Sequence, residues 1–487
     1  MKFNVGVRID RFDANQKVLK DKYLLYEAKT AGELDIAGRP ANIGDDFVVY
    51  VEDGANPSVN QVVGYRDGDT WYNASGTEVN DPSAALGQGA GQVQPYLVDP
   101  SKKDGLTSKV FKDYVPQVNI LPRIAFSFPI SDVANFYAHY DVLSQRPPER
   151  NRLDPLQYLG VINNQSDYVN NPDLKSERTT DYELGYQQVL NEKKNSSLQL
   201  SLFYRELKDL VQTTNVVQAY PTSYKSFSNV DFGTVKGLSI AYDLRRTATG
   251  VSLTANYTLQ FADGTGSSTT DGQNLVSSGV PNLRTTHPLD FDQRHTITLN
   301  VDYRFGAGKD YRGPRLKLRK GKENEKVMTL LENVGANIVF RAGSGTPYSK
   351  QANFTREGQF GLGGGNTALD GQINGSNLPW SYKMDLRIDK QVELNWKGKK
   401  EGSENKTANL TIYLQVLNLL NTKNVLNVYK ATGNPDDDGY LSSAAAQTII
   451  SNQNDPQSFR DLYSVKINDP SYYSRPRVIR LGLLLDF

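Results

Sequence analysis

The sequence predicts an all-β protein, a transmembrane antiparallel β-barrel with about twelve strands visible in the chain. Three observations predict it: long stretches of period-two alternation, connections that are long at one end of the hairpins and short at the other, and a composition too polar for membrane helices. The 487 residues include 40 Gly, 28 Tyr and 18 Phe, are 38% hydrophobic and have a mean hydropathy of −0.54. No apolar run is long enough for a transmembrane helix. A barrel strand shows lipid only every second residue, so its average hydropathy stays low.

The alternation is explicit. Val251, Leu253, Ala255, Tyr257, Leu259 and Phe261 are interleaved with Ser252, Thr254, Asn256, Thr258 and Gln260. Ile297, Leu299, Val301, Tyr303 and Phe305 alternate with Thr298, Asn300, Asp302 and Arg304. Tyr382, Met384, Leu386 and Ile388 alternate with Lys383, Asp385, Arg387 and Asp389, and Leu410, Ile412, Leu414 and Val416 with Thr411, Tyr413 and Gln415. Soluble sandwiches also alternate, but their strands run about five or six residues. Runs of about nine to thirteen are the length that a tilted membrane strand needs. The strand candidates are residues 2–10, 118–128, 134–142, 180–190, 197–206, 236–245, 250–262, 293–305, 333–342, 381–393, 408–418 and 476–487.

Placing the carboxy terminus in the periplasm makes 11–117, 143–179, 207–235, 263–292, 343–380 and 419–475 extracellular. Pro129–Val133, Asn191–Ser196, Arg246–Thr249, Gly306–Glu332 and Asn395–Thr407 become periplasmic, three of them tight and two polar and lysine-rich. Long loops on one side and short turns on the other are the signature of an outer-membrane barrel. Phe128, Tyr303, Phe305 and Phe487 fall at the short-turn ends, and Tyr140, Tyr204, Phe261, Phe340 and Tyr382 at the opposite ends, as two aromatic girdles should. Residues 11–117 form the largest excursion. Phe47–Val51, Val62–Tyr65 and Trp71-Tyr72, punctuated by Asp53-Gly54 and Asp67-Gly68, read there as a hairpin-bearing extracellular subdomain. Gly361–Asn366 and Ala262–Gly279 read as mobile loop segments.

Ile479, Leu481, Leu483, Leu485 and Phe487 alternate up to a terminal aromatic, which resembles the assembly signal of bacterial outer-membrane proteins. Asn171-Pro172-Asp173-Leu174-Lys175-Ser176-Glu177-Arg178, followed by Tyr182-Glu183-Leu184-Gly185-Tyr186, is similar to a loop and strand typical of TonB-dependent transporters. Phe203-Tyr204-Arg205, Asn229-Val230-Asp231, Asp292-Gln293-Arg294-His295 and Leu417-Asn418-Leu419-Leu420-Asn421 add to it. Over most of its length the chain resembles the barrel of a TonB-dependent outer-membrane receptor of the Bacteroidota type. The resemblance implies outer-membrane lipids as surroundings, active uptake of a ligand such as a siderophore, glycan or peptide, and energy from the inner-membrane TonB complex. A surface lipoprotein is a further partner that it suggests. Barrels of this family have about 22 strands around a plug. The chain therefore reads as the carboxy-terminal portion, with the plug domain and coupling box expected upstream. Met1-Lys2-Phe3-Asn4-Val5-Gly6 has no signal-peptide pattern, which fits either a removed signal or a start partway through a longer protein. The alternatives are a passive porin or an adhesion barrel of about twelve strands.

Other chemistry has little support. With 55 basic and 54 acidic residues interspersed, net charge +1, nothing favours nucleic acid. The chain has no cysteine, which excludes thiolate metal sites and cysteine nucleophiles. His139 is expected to point into the lumen, His287 to lie in a loop and His295 to point outward, so they share no metal-site spacing. An outer-membrane lipase would need a nucleophile beside His295, and Leu259, Phe261, Ile338 and Phe340 supply none. Asn434-Pro435-Asp436-Asp437-Asp438-Gly439 opens like a calcium loop, but Ala445 stands where the bidentate glutamate belongs, and a loop turn is the better reading. No catalytic, cofactor or metal residues are assigned, and the ligand-binding residues stay open. Arg8, Asp10, Arg123, Arg205, Asp243, Arg294, Asp302, Arg304, Asp385, Arg387, Arg480 and Asp486 are expected to line the lumen. Tyr65, Trp71, Tyr72, Tyr96, Tyr220 and Trp380 are loop aromatics that could stack on a ligand, although such rings more often pack their own loop.

Overall fold

The computed structural model describes residues 1–86, 92–102, 106–146, 154–165, 168–247, 249–271, 284–318, 326–354, 368–396 and 406–486. Twelve long strands dominate: β1 (Lys2–Phe12), β2 (Gln117–Ser131), β3 (Ala134–Gln145), β4 (Glu177–Val189), β5 (Ser196–Val216), β6 (Tyr224–Leu244), β7 (Val251–Gly264), β8 (His295–Arg304), β9 (Val334–Gly343), β10 (Ser381–Trp396), β11 (Lys406–Leu417) and β12 (Val478–Asp486). Each coincides with one of the sequence candidates. They pair in chain order into a single antiparallel meander, with His287–Pro288 added beside β7. Among the described residues β1 pairs only with β2 and β12 only with β11, so this ladder is open at both edges.

The register turns the alternation of single strands into two continuous faces. Leu184, Leu202, Leu238 and Leu259 lie side by side across β4–β7, and Tyr242, Ala255, Leu299, Phe340 and Met384 across β6–β10. Leu253, Leu299, Leu386 and Ile412 all belong to this apolar face, and Thr254, Asn300, Arg387 and Thr411 to the other. The apolar face is not covered by protein: Ile9 is 66% exposed, Leu202 54% and Leu481 78%. An apolar face of this extent, on strands whose backbone groups are satisfied by neighbours, is built for hydrocarbon. Rings mark its margins. Tyr140, Tyr182 and Tyr204 adjoin at 5.2 and 6.1 Å at the long-loop end, and Tyr303 meets Phe305 at 4.9 Å at the other. Phe487 lies outside the described residues.

The short-turn end matches expectation at Asp132-Val133 and at residues 190–195. Between β8 and β9 the connection adds a small ribbon, Leu316–Leu318 with Lys326–Met328. Most of Asn395–Thr407, all of Gly361–Asn366 and the end of Ala262–Gly279 lie outside the described residues.

The long-loop end departs more from the reading. Residues 207–235, expected as a loop, are mostly strand. β5 and β6 are 21 residues long each and continue beyond the membrane zone, interrupted by a register shift at Leu207–Val211 where Asp209 has φ 60°. Residues 419–475, also expected as loop, contain α2 (Ala444–Ser451) and α3 (Pro456–Ile467), and residues 143–179 contain α1 (Pro155–Ile162). Between β1 and β2 the chain builds a separate five-stranded sheet, in the order 78–79, 70–73, 62–67, 48–51, 94–95. Gly68, at φ 53°, makes the tight turn from Asp67 to Thr70. Asp53-Gly54 makes no such turn, because residues 52–61 loop out before the strands pair.

Candidate functional site

Two regions could handle a ligand: the polar face of the sheet and the cap at its long-loop end. The polar face is a field of paired charges. Arg205 Nε donates to Asp181 at 3.1 Å, Arg304 to Asp389 at 2.8 Å and Arg8 to Asp10 at 2.7 Å. Arg123 stands 3.5 Å from Asp141, and Asp385 receives both Lys383 at 3.3 Å and Arg341 at 3.8 Å. Thr254 donates to Asp243 at 3.0 Å, Asp302 pairs with Arg246, and the Arg387 guanidinium lies over the Tyr413 ring. Arg480 sits opposite Gln415 and Asp486 opposite Asn409 on strands β11–β12. Alternating signs on neighbouring strands hold each other and leave a wet, neutral wall.

Sequence reasoning passed over the best-connected group on that face. The Tyr137 hydroxyl donates to Glu183 at 3.0 Å and accepts from Gln199 at 2.7 Å, and His139 lies 3.5 Å from the same carboxylate. Gly185 leaves room for the Tyr137 ring, which an added Cβ would strike at 2.1 Å. A glycine opposite a tyrosine in an alternating hairpin was the available signal. Arg294 corrects the lumen assignment. It precedes β8, and its guanidinium lies 5.2 Å from the centre of Phe261, a ring of the apolar face.

The other histidines part ways. His287, expected in a loop, is 7% exposed and pairs with Gly264 at the edge of the sheet. His295 faces outward as expected, with its Nδ1 at 2.9 Å from the Tyr257 hydroxyl and its ring stacked on Trp380. Trp380 in turn stacks on Tyr382. These rings continue the outward girdle, so Trp380 packs against its own barrel wall.

The cap consumes most of the remaining loop aromatics. Tyr65 and Trp71 are buried in the small sheet with Val49, Tyr50 and Leu86, and Tyr220 is buried against Tyr26 and Leu97. Tyr72 and Tyr96 pack against the same core at its margin. At its centre Arg66, 3% exposed, donates to Tyr50 at 2.9 Å and to the Gly68 carbonyl at 2.7 Å, and pairs with Asp21. Its guanidinium also faces the Tyr23 and Trp71 rings at 4.7 and 5.4 Å. Burial pushes the Tyr50 phenol up to about 12, against the opposing pull of Arg66.

The cap is tied to the β5–β6 tip and to α1. Leu25 N–H donates to the Tyr220 carbonyl at 3.0 Å, Val93 N–H to Gln218 at 3.0 Å and the Tyr224 hydroxyl to the Lys22 carbonyl at 2.7 Å. Leu25, Tyr158, Val161, Val216 and Tyr224 close one core across all three segments.

The calcium-like turn is occupied by its own neighbours. Asp438, 1% exposed, accepts from Tyr440 N–H and from the Tyr463 hydroxyl, and Asp436 accepts from the Tyr473 hydroxyl at 2.5 Å. Burial first, and then the Asp438 contact, raises the Tyr463 phenol, while the Asp436 hydrogen bond lifts Tyr473 to about 12. No group of metal-ligating side chains occurs among the described residues.

A sheet with one polar face, one bare apolar face, ring girdles and a folded cap on one end is the wall of an outer-membrane receptor barrel. The chain belongs to the TonB dependent receptor-like β-barrel family, whose sequence profile matches residues 2–419. It is an outer-membrane protein of a family of receptors rather than enzymes. No curated protein matches it. Among solved structures it is similar to the ferric-catecholate import receptor Fiu from E. coli K12, with 15% identity, TM-score 0.38, and 65% of this chain and 33% of that one covered. It is also similar to P. aeruginosa FpvA bound to heterologous pyoverdines (10% identity, TM-score 0.41, 76% and 33% covered). A third is the copper transporter OprC (11%, 0.36, 76% and 40%). The chain spans 33% to 40% of the length of these three structures.

Proposed function

We propose that this chain forms the carboxy-terminal part of a TonB-dependent transporter of the Bacteroidota type, which takes up a ligand across the outer membrane using inner-membrane energy. The open ladder carries the proposal. β1 and β12 each show one unpaired edge among the described residues, and unpaired backbone amides in hydrocarbon cost several kcal/mol apiece. Further strands joining those edges, and a plug held against the polar face, would satisfy both surfaces. The long-loop end then faces outside, and its cap, residues 11–117 with α1 and the β5–β6 tip, is where a ligand or a surface lipoprotein is met first. The test is the coding sequence upstream of Met1, followed by ligand uptake in cells with and without TonB. Plug and strand sequences upstream, with uptake lost in the TonB-deficient cells, support the proposal. A stop codon preceding a signal peptide, or uptake indifferent to TonB, overturns it in favour of a passive pore.

A further inference from the structure

We propose that the apolar face of β4–β7, at its long-loop end, binds the phosphate groups of an anionic membrane lipid. The register orders the surface in layers. Leu184, Leu202, Leu238 and Leu259 form one row, and above it Tyr182, Tyr204, Lys236 and Phe261 form the next. Lys236 is thus flanked by two rings, and the Arg294 guanidinium sits over the second of them. Two side-chain rows higher, about 13 Å along the strands, Arg178 stands directly opposite Lys208.

Like charges facing each other across a ladder repel. Glu206, 2.9 Å from Lys208, relieves one of the two. Arg178 and Lys236 have no ion-pair partner among the described residues, and all four cations are exposed.

Apolar row, ring row and cations follow one another in the order in which a lipid presents acyl chains, interface and phosphates. The long stems of Lys236 and Arg294 can lie along the rings while their heads reach the phosphate layer. A soluble phosphate would find the cations but not use the leucine and tyrosine rows beneath them, so the surface is assigned to a lipid. Further round the same rim the Tyr257–His295–Trp380–Tyr382 ring stack takes over, which confines the basic patch to β4–β7. The inference rests on the barrel's apolar face meeting lipid and not on transport, so failed uptake would leave it untouched.

The experiment uses the complete protein, with whatever upstream residues its gene encodes, in neutral detergent micelles. The probes are bis-phosphorylated lipid A, dephosphorylated lipid A and inorganic phosphate. The wild type is expected to bind the phosphorylated lipid in preference, with affinity falling as salt rises. The triple variant R178Q/K208Q/K236Q should bind it roughly a hundredfold more weakly while keeping its heat-modifiable migration. If the triple variant fails to fold, R178K/K236R should fold and retain binding, and the salt dependence of the wild type remains the readout. Equal binding of both lipids, unchanged affinity in a folded triple variant, or salt-independent binding would each overturn the proposal. Displacement by inorganic phosphate at equal concentration would make it a free-anion site and would also overturn it.

Discussion

The membrane sheet and its cap are made from the same residues under opposite rules. In the cap, Leu25 and Val49 are 0% exposed and pack with tyrosines in closed cores. In the sheet, Leu481 and Ile9 are 78% and 66% exposed, and ion pairs occupy the other face. The cap is organised by water leaving apolar surface. The sheet gains nothing comparable in lipid, and its order comes from backbone pairing and polar contacts across strands. One chain therefore answers to two solvents, and the boundary between them is the row of rings.

Arg66→Ala should produce the largest separation of the two regions. It strips Asp21 and Tyr50 of a buried partner and should cost the cap about 3 kcal/mol, with Asp21 itself partly open to solvent. Hydrogen exchange should show residues 48–79 losing protection while β7–β11 keep theirs; equal loss in both would mean that cap and sheet are one cooperative unit. Leu299→Arg should cost about 2 to 4 kcal/mol in a bilayer, and Asn300→Arg, one residue along on the polar face, far less. Urea unfolding of the two variants in liposomes checks this, and equal costs would remove the distinction between the faces.

Alkali should separate the regions again. Tyr50 has its folded value raised to about 12 from the ordinary 10.0, so burial favours the neutral phenol. The stabilisation that it confers is complete below pH 10.0 and is lost as pH climbs through about 12. Near-ultraviolet dichroism of the cap should fade in that interval, ahead of the far-ultraviolet signal of the sheet. The smallest effect is expected at Asp455, which caps α3 by accepting from Ser458 N–H at 2.9 Å. Asp455→Ala should cost about 1 kcal/mol, read as faster exchange in residues 456–467 alone.

The twelve membrane strands were legible because hydrocarbon on one side and water on the other force a strict two-residue alternation. Above the rings that constraint disappears. β5 and β6 continue with Val211, Gln212, Thr213 and Phe227 all buried, so the hairpin carries no alternation to read. The cap helices were missed for a related reason: each is too short for a helical period to show in its apolar residues. A local signal did exist. Asp81-Pro82, Asp99-Pro100, Asp154-Pro155, Asp455-Pro456 and Asp469-Pro470 each start a helical turn. In every case the aspartate accepts from a backbone N–H two or three residues on, and proline fills the first helical position. Arg66 could not have been found, since nothing local says that Asp21 and Tyr23 return to it across 45 and 43 residues of chain.

The β5–β6 hairpin works as a ruler. Its two strands run about 70 Å each, from Ser196 and Leu244 at the short-turn end to the shared tip at 217–223. Below the shift at Leu207–Val211 the two strands keep phase, and there a slip of one residue inverts every side chain. The register of the membrane part and the offset at Leu207–Val211 together set whether Gln218 and Tyr220 arrive opposite Val93 and Leu25 at the far end. A single residue inserted between Leu198 and Leu202 would be felt twice: in the membrane, where the side chains past it would change faces, and in the cap, where those hydrogen bonds would lose their partners.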